Sequence, residues 1–243
     1  MSLMSVAEMH QQFLHWFDKQ SNFSAPEVTP EEIDIYLNNA QYYMLEILTE
    51  KGIERNQDWL DYTKNITVSY STTPASHQAD NKPNGQFVTL PSDYRLSLLE
   101  EAVISYRDCN NVTKNSRVPV VPITRDEYNK IIWNPFKQPW KEEVIRLTAQ
   151  GNVNTSSATN VGQFEVISFS GATVTNYYLD YIKNPSSIRY GTQYSTPTTD
   201  VSCELDSKAA TKVVELAVKL ALKTLGDERV KIEQLNPVLK TID

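Results

Sequence analysis

The stretch DSKAATKVVELAVKLALKTLG, residues 206–226, contains the clearest helix signal of the chain. Its charged residues recur every three or four positions and form one narrow stripe: Lys208, Lys212, Glu215, Lys219 and Lys223. Alanine, valine and leucine fill most of the remaining circumference, and a helix that meets water along one stripe only must be covered on its other sides. We predict a helix that is capped by Asp206 and Ser207, ends before Gly226 and lies buried in a helical layer.

Two more helices are predicted near the N-terminus. Ser5–Glu8 has the pattern of a capping box, and apolar residues follow it at helical spacing. Thr29 followed by Pro30 signals a second helix start, after which an apolar stripe continues for about five turns. We therefore assign residues 1–64 and 204–243 to a helical domain made by both termini.

The middle of the chain, residues 65–203, changes to a period of two and is predicted to be a β-rich domain. Strands are predicted at 66–70, 87–90, the second half of 96–108, 144–147, 164–169 and 173–182, and a short helix is predicted from Thr124 to about Trp133. Polar loops are expected at Ser71–Gly85 and Ala149–Asn160. The predicted fold class is α+β: a helical layer from the N- and C-terminal helices, with an inserted, mostly antiparallel β-sheet or sandwich.

Composition disfavours several classes of function. The chain has 243 residues with 23 Lys+Arg and 30 Asp+Glu, a net charge of −7, so a broad basic face for nucleic acid phosphates is not expected. Two cysteines without a CxxC, three histidines and seven glycines disfavour a zinc site and a glycine-rich cofactor loop. Neither a secretory signal nor an apolar window of bilayer length is visible. We predict no metal, no cofactor and no membrane contact, and we favour a structural, non-enzymatic protein.

Adjacent carboxylates suggest an enzymatic alternative. They occur at Glu31–Glu32, Glu100–Glu101 and Glu142–Glu143. Neighbouring residues on a helix or strand point apart, so an acidic, glycosidase-like hydrolase would need a Glu/Asp pair that the fold itself brings together in a deep pocket. A bacterial surface subunit is another alternative, and it would require export.

Two regions are candidates for contacts with other chains. Trp133–Trp140 combines two prolines with large rings, which is typical of an ordered loop that either packs on a core or anchors on a partner. Residues 26–63 hold nine acids and two bases, and the candidates for an acidic channel or interface face are Glu31, Glu32, Asp34, Glu46 and Glu50. Three hypotheses remain open: this face serves only solubility, it meets the basic stripe of a neighbouring copy, or it repels DNA.

Four stretches together resemble virion structural proteins of tailed phages. They are FVTLPSDY at 87–94, Asn134–Phe136, YYLDYIKNP at 177–185, and VVELAVKLAL at 213–222 with GDER at 226–229. The sequence is most similar to head-to-tail adaptor or tail ring proteins of the neck in crAss-like phages, over about residues 65–235.

The resemblance implies a closed, twelve-fold ring in the virion, assembled in the host bacterial cytoplasm. Its implied partners are copies of itself, the portal or adjacent tail ring proteins, and genomic DNA that passes through the central channel without specific binding. A ring of identical subunits needs two different surfaces that fit each other. The candidates for this subunit interface are Val213, Leu216, Ala217 and Leu220 of the last helix, with Trp133, Phe136, Trp140, Tyr177 and Tyr181.

Overall fold

The computed structural model describes residues 3–20, 28–50, 61–76, 82–149, 162–194 and 196–224. They form two compact units. Unit 1 contains the described residues up to Ile66 and those from Pro185 onward, and unit 2 contains those of Thr67–Asn184. The α+β fold class is confirmed, since unit 1 carries the terminal helices and unit 2 carries the strands. Residues 185–203, assigned above to the β-rich region, lie in unit 1. The division into a helical domain, 1–64 with 204–243, and a β-rich domain, 65–203, stays a prediction.

Four α-helices of the described residues begin near the predicted signals. They are α1 (Val6–Gln20), α2 (Pro30–Glu50), α3 (Arg125–Ile132) and α4 (Ser207–Thr224). Three of them start with the same reciprocal capping box, formed by Ser5 with Glu8, Thr29 with Glu32 and Thr124 with Glu127. In each pair the hydroxyl accepts the backbone N–H of the glutamate, and the glutamate carboxylate accepts the backbone N–H of the capping residue. The predicted stop at Gly226 lies outside the described residues.

Helix α4 is the centre of unit 1. Nine of its residues are buried, from Ala209 to Leu222, against α1 and α2. Its predicted polar stripe is exposed at its two ends, Lys208 and Lys223, and half-buried between them, so the prediction of a helix covered on its other sides is confirmed. Asp206 accepts the Lys208 N–H at 3.3 Å and pairs with Lys64 at 3.4 Å. Burial raises the pKa of the Asp206 carboxyl, but these partners outweigh it and hold the pKa below its ordinary value.

Unit 2 is one eight-stranded sheet. Its strands are β1 (Thr67–Thr72), β2 (Ala75–Ser76), β3 (Gly85–Thr89), β4 (Tyr94–Arg107), β5 (Thr113–Pro122), β6 (Val144–Ala149), β7 (Gln163–Ile167) and β8 (Ala172–Lys183). Their order is β1-β8-β4-β5-β6-β7-β3-β2, and every pair is antiparallel except β5 with β6. The sheet is therefore mostly antiparallel, as predicted.

The sheet curls until its two halves face each other. The side chain of Gln86 on β3 accepts the Val174 N–H on β8 at 2.6 Å and donates to the Val174 carbonyl at 3.1 Å, although β3 and β8 are not neighbours in the sheet. The rings of Tyr94 on β4 and Phe164 on β7 meet edge to face, with centroids 5.6 Å apart. The apolar core of unit 2 lies between these halves.

Strand β5 was not predicted. Its buried residues are Val118 and Val120, and the proline between them, Pro119, cannot donate a ladder hydrogen bond. The structure places Pro119 where the strand changes partner: β4 pairs with β5 as far as Pro119, and β6 pairs with it from Val120. Proline is therefore tolerated at a switch between two ladders, although the sequence pattern alone argues against a strand there.

A charged network lies inside the curled sheet. Arg146 donates from Nη2 to Glu100 Oε1 at 2.9 Å, and its Nε lies 2.8 Å from Oε2 but is poorly aligned for a hydrogen bond. Tyr177 donates its hydroxyl to Glu100 Oε2 at 2.6 Å, and the Arg146 guanidinium carbon lies 3.9 Å from the centre of the Phe164 ring. Glu100 and Arg146 are each only 8% exposed. Buried charges persist when they are paired in this way.

Candidate subunit interface

An aromatic segment, residues 133–140, follows α3 and displays its rings to solvent. Trp133 is 86% exposed, Phe136 98% and Trp140 63%. Of the two hypotheses for this stretch, the structure therefore supports the surface position and not the core position. Monomeric proteins rarely leave several large apolar side chains exposed together, and such patches usually mark sites of interaction.

Local hydrogen bonds hold the backbone of the aromatic segment. The side chain of Asn134 accepts the Phe136 N–H at 3.1 Å and caps a short 3₁₀ helix, Pro135–Lys137. The amide of Gln138 donates to the carbonyl of Ile132 at 3.2 Å, which ties the end of the segment to the end of α3. Because the backbone is fixed locally, a partner would have to order only the side chains.

The aromatic segment continues into an apolar groove of about 380 Å³. Residues of α3, β6 and β7 line this groove, among them Tyr128, Ile131, Ile145 and Ile167. The Trp140 ring reaches its wall, with its centroid 5.7 Å from that of Phe169. Sequence reasoning missed the groove because its walls come from segments far apart in the chain, and their apolar residues carry only the ordinary signal of core positions.

Tyr177 and Tyr181, two of the predicted interface residues, point into the core of unit 2. Tyr177 is fully buried and bonded to Glu100, and burial, reinforced by that carboxylate, raises the pKa of Tyr177 far above its ordinary value. Tyr181 is 3% exposed and donates to Asp93 at 2.9 Å, and burial beside Asp93 raises the pKa of Tyr181 to about 12. The predicted shared face of β8 exists, but it faces inward, so neither ring offers contact area to another chain.

The candidates on α4 are also used within unit 1. Val213, Leu216 and Ala217 are at most 2% exposed, and only Leu220 is half-buried. Helices α1 and α2 of the same chain therefore cover the apolar sides of α4. What α4 offers to a partner is its charged stripe, not its apolar sides.

The structure divides the predicted acidic face. Its exposed members are Glu31, Glu32 and Glu46. Asp34 is 3% exposed; its Oδ1 lies 2.7 Å from Nε2 of His10, and its Oδ2 accepts the Tyr190 N–H at 2.8 Å. Tyr194 donates to the same carboxylate, and burial beside Asp34 raises the pKa of Tyr194 to about 12. Asp34 therefore connects α2 to α1 and to the segment that contains Tyr190 and Tyr194. The side chain of Glu50 lies outside the described residues.

The hydrolase hypothesis requires a pair of carboxylates in one pocket, and β4 separates Glu100 from Glu101. Glu100 is buried with Arg146, whereas Glu101 points to the other face of β4 and pairs with Arg117. A groove of about 380 Å³ on that outer face is lined by Glu101 and Asp180, but Glu101 is already engaged by the guanidinium. Within the described residues, no group of three or more His, Cys, Asp or Glu side chains could hold a metal ion.

The described helices also include none that is long and apolar enough to cross a membrane. A folded chain that fixes large apolar rings at its surface has the features of a subunit in a protein assembly.

Comparison with known proteins identifies the kind of assembly. Residues 4–230 match the family model described as phage tail ring protein 3/4, and the chain belongs to that family. It is 26% identical over 250 residues to "Ring protein 4/5" of Bacteroides phage crAss001, covering 95% of this chain and 98% of the relative. It is 23% identical over 217 residues to "Ring protein 3" of the same phage, covering 81% and 86%.

The resemblance to ring proteins of crAss-like phages is thereby confirmed. The chain is a structural ring protein of a bacteriophage tail and a component of the virion.

Proposed function

We propose that the chain assembles with copies of itself into a closed ring of twelve in the neck or tail of the phage. This ring links the portal to the tail, stacks on adjacent ring proteins and surrounds the channel through which genomic DNA passes. It assembles in the cytoplasm of the host bacterium and performs no bond-making chemistry.

The observation that carries this proposal is the exposed aromatic segment. Phe136, at 98% exposure, contributes nothing to the core of unit 2, yet the hydrogen bond that Asn134 accepts and the one that Gln138 donates hold the backbone around it. Interfaces between proteins are enriched in aromatic residues at their centres, and such anchors carry much of the binding energy. The membership in a family of tail ring proteins supplies the kind of partner.

The charge of the chain supports a channel that does not retain DNA. The net charge is −7 over 243 residues, so the sequence does not supply the excess of Lys and Arg that phosphate binding requires. A ring of such subunits carries a net negative charge, which disfavours retention of DNA phosphates and suits a channel for transit rather than a binding site.

Electron microscopy of the purified full-length chain, with and without the neighbouring tail proteins, tests the proposal. Twelve copies of the 27.7 kDa chain should give rings with a mass of about 330 kDa. A chain that stays monomeric both alone and with its neighbours would contradict the ring, and a different symmetry would contradict the number twelve.

Phe136→Ser is the variant that tests the aromatic segment. Because the ring of Phe136 is almost fully exposed, we expect stability to change by less than about 0.5 kcal/mol while ring formation is weakened. Val112→Ser is the matched control, since Val112 is 54% exposed and lies outside the segment. Equal ring yields for both variants would show that the segment is not part of the interface.

A further inference from the structure

Two charged stripes on unit 1 have opposite signs. The acidic stripe is the exposed face of α2, formed by Glu31, Glu32, Ile35, Asn39, Tyr42, Tyr43 and Glu46. At 3.6 residues per turn these positions fall within about 120° of the helix circumference. Three glutamates and no base give the stripe three negative formal charges. The basic stripe on α4, formed by Lys208, Lys212, Glu215, Lys219 and Lys223, has a net formal charge of +3.

The two stripes also have the same length. Glu31 and Glu46 delimit the acidic stripe, and Lys208 and Lys223 delimit the basic one, so each covers fifteen helical steps. At 1.5 Å per residue each stripe is about 22 Å long. Opposite charge over equal lengths allows one helix to lie along the other with carboxylates facing ammonium groups along the contact.

The charges at the ends of both stripes are available for a partner. Among the described residues, Glu31, Glu46, Lys208 and Lys223 form no ion pair. Lys219 is half-buried, and burial lowers its pKa against the opposing effect of Glu215. A carboxylate from outside the chain would stabilise the ammonium form of this lysine.

One copy cannot join its own stripes. The apolar faces of α2 and α4 pack against each other in the core of unit 1, so both stripes face away from that contact. We propose that the basic stripe on α4 of one copy docks along the acidic stripe on α2 of the next copy. The proposal rests on the ring proposed above. Because the contact joins two different surfaces, it repeats in one direction around an axis, as a closed ring requires.

The acidic stripe carries an apolar centre that fits this partner. Ile35 is 58% exposed, and Tyr42 and Tyr43 are 41% and 39% exposed, between the glutamates at the two ends. Lysine side chains cover such groups with their aliphatic stems and place their ammonium groups over tyrosine rings. Two helices in contact over 22 Å cover about 240 Å² on each, given a helix diameter of 10–12 Å. A stable interface needs about 800 Å² per partner, so this contact is one part of the lateral interface.

Charge reversal on each stripe tests the contact. We would prepare Glu31→Lys with Glu46→Lys as one variant and Lys208→Glu with Lys223→Glu as another, both in the full chain. Glu32 is left unchanged because it caps α2 through Thr29. Each variant alone faces like charges across every interface, and we expect its assembly to weaken by a factor of about 100 or more.

An equimolar mixture of the two variants should assemble again. The unaltered lysines of the first meet the unaltered glutamates of the second, and the reversed charges also meet with opposite signs. The variants would then alternate around the ring, which closes for an even number of copies such as twelve. Asp126→Lys with Asp180→Lys is the matched control, since it reverses the same number of acids in unit 2, outside the aromatic segment and both stripes, and should leave assembly unchanged.

The readouts are particle mass and electron microscopy, in the presence of the neighbouring ring proteins, after circular dichroism has shown that each variant is folded. Reversed variants that assemble like the wild type, or folded variants whose mixture stays monomeric, would overturn the proposed contact and leave the ring itself intact. A wild-type chain that forms no ring under the same conditions would overturn the ring proposal as well.

Discussion

Arg146→Met tests whether the ion pair inside the curled sheet is needed for its stability. The substitution removes the guanidinium but retains an unbranched apolar stem over the Phe164 ring, which the guanidinium carbon now approaches to 3.9 Å. Glu100, at 8% exposure, then keeps only the hydroxyl of Tyr177 as a donor among the partners described here. The carboxylate is left in the core without its counter-charge.

The expected decrease in the free energy of unfolding follows from the loss of the Arg146 guanidinium beside Glu100. Removing one partner of a buried ion pair destabilises a protein by about 3–5 kcal/mol, because the remaining charge stays desolvated. The triple variant Glu100→Met, Arg146→Met, Tyr177→Phe removes all three polar partners and leaves groups of similar volume. Such apolar replacements are often neutral or stabilising, so we expect the triple variant to lie within about 1 kcal/mol of the wild type.

Hydrogen exchange read by mass spectrometry measures the cost in unit 2 alone. Peptides from β4, β6 and β8 report the opening of the sheet that contains the network. At 1.36 kcal/mol per factor of ten, Arg146→Met should speed exchange of their slowest amides by a factor of roughly 100 to 5,000. The reasoning is refuted if Arg146→Met costs less than about 1 kcal/mol, or if the triple variant is as unstable as the single one.

Two further predictions concern titratable groups of known position. Cys109 is exposed, whereas Cys203 is 1% exposed and burial raises the pKa of its thiol to about 11. A thiol reagent should therefore label Cys109 in the native chain and Cys203 only on unfolding. Equal labelling rates of the two cysteines would contradict this prediction. Asp206→Ala should cost about 1 kcal/mol at pH 7 through the lost cap. Because the folded-state pKa of Asp206 is lowered, the stability gap to the wild type should be complete above the unfolded-state pKa of about 3.9 and shrink as pH falls through the folded-state value. Thermal unfolding measured between pH 7 and pH 2 tests this prediction, and a stability gap that stays constant over that range would contradict it.

The helix starts could be predicted because their signals are local. A hydroxyl and a glutamate three residues apart, as in Thr124 and Glu127, satisfy backbone donors within the same turn, and no distant residue has to take part. The same holds for the face of β8 that contains Tyr177 and Tyr181, since alternation follows from strand geometry alone. Which side of the sheet would be covered did not follow, because it depends on strands that pair from elsewhere in the chain.

The sequence could not reveal what surrounds a polar residue. Asp34 and Glu46 lie on the same helix and look alike as members of an acidic run, yet one bonds to His10 in the interior and the other is exposed. The distinction comes from α1 and from the segment containing Tyr190 and Tyr194, whose contacts with Asp34 span 24, 156 and 160 residues of sequence. A charge count over residues 26–63 therefore overstates the acidity of the outer face.

The position of the candidate interface follows from how much apolar surface unit 1 uses for itself. Helix α4 is apolar on most sides, and from the sequence alone these sides could form either a core or a contact surface. In the structure α1 and α2 bury Val213 and Leu216. A surface that is already covered cannot also hold a neighbour without unfolding the layer. The exposed surface of the described residues includes the aromatic segment around Phe136 and the two charged stripes, which are the surfaces proposed above for contacts between copies. The stripes differ in sign and the segment differs from both, so the described surface has the unlike faces that a heterologous contact requires.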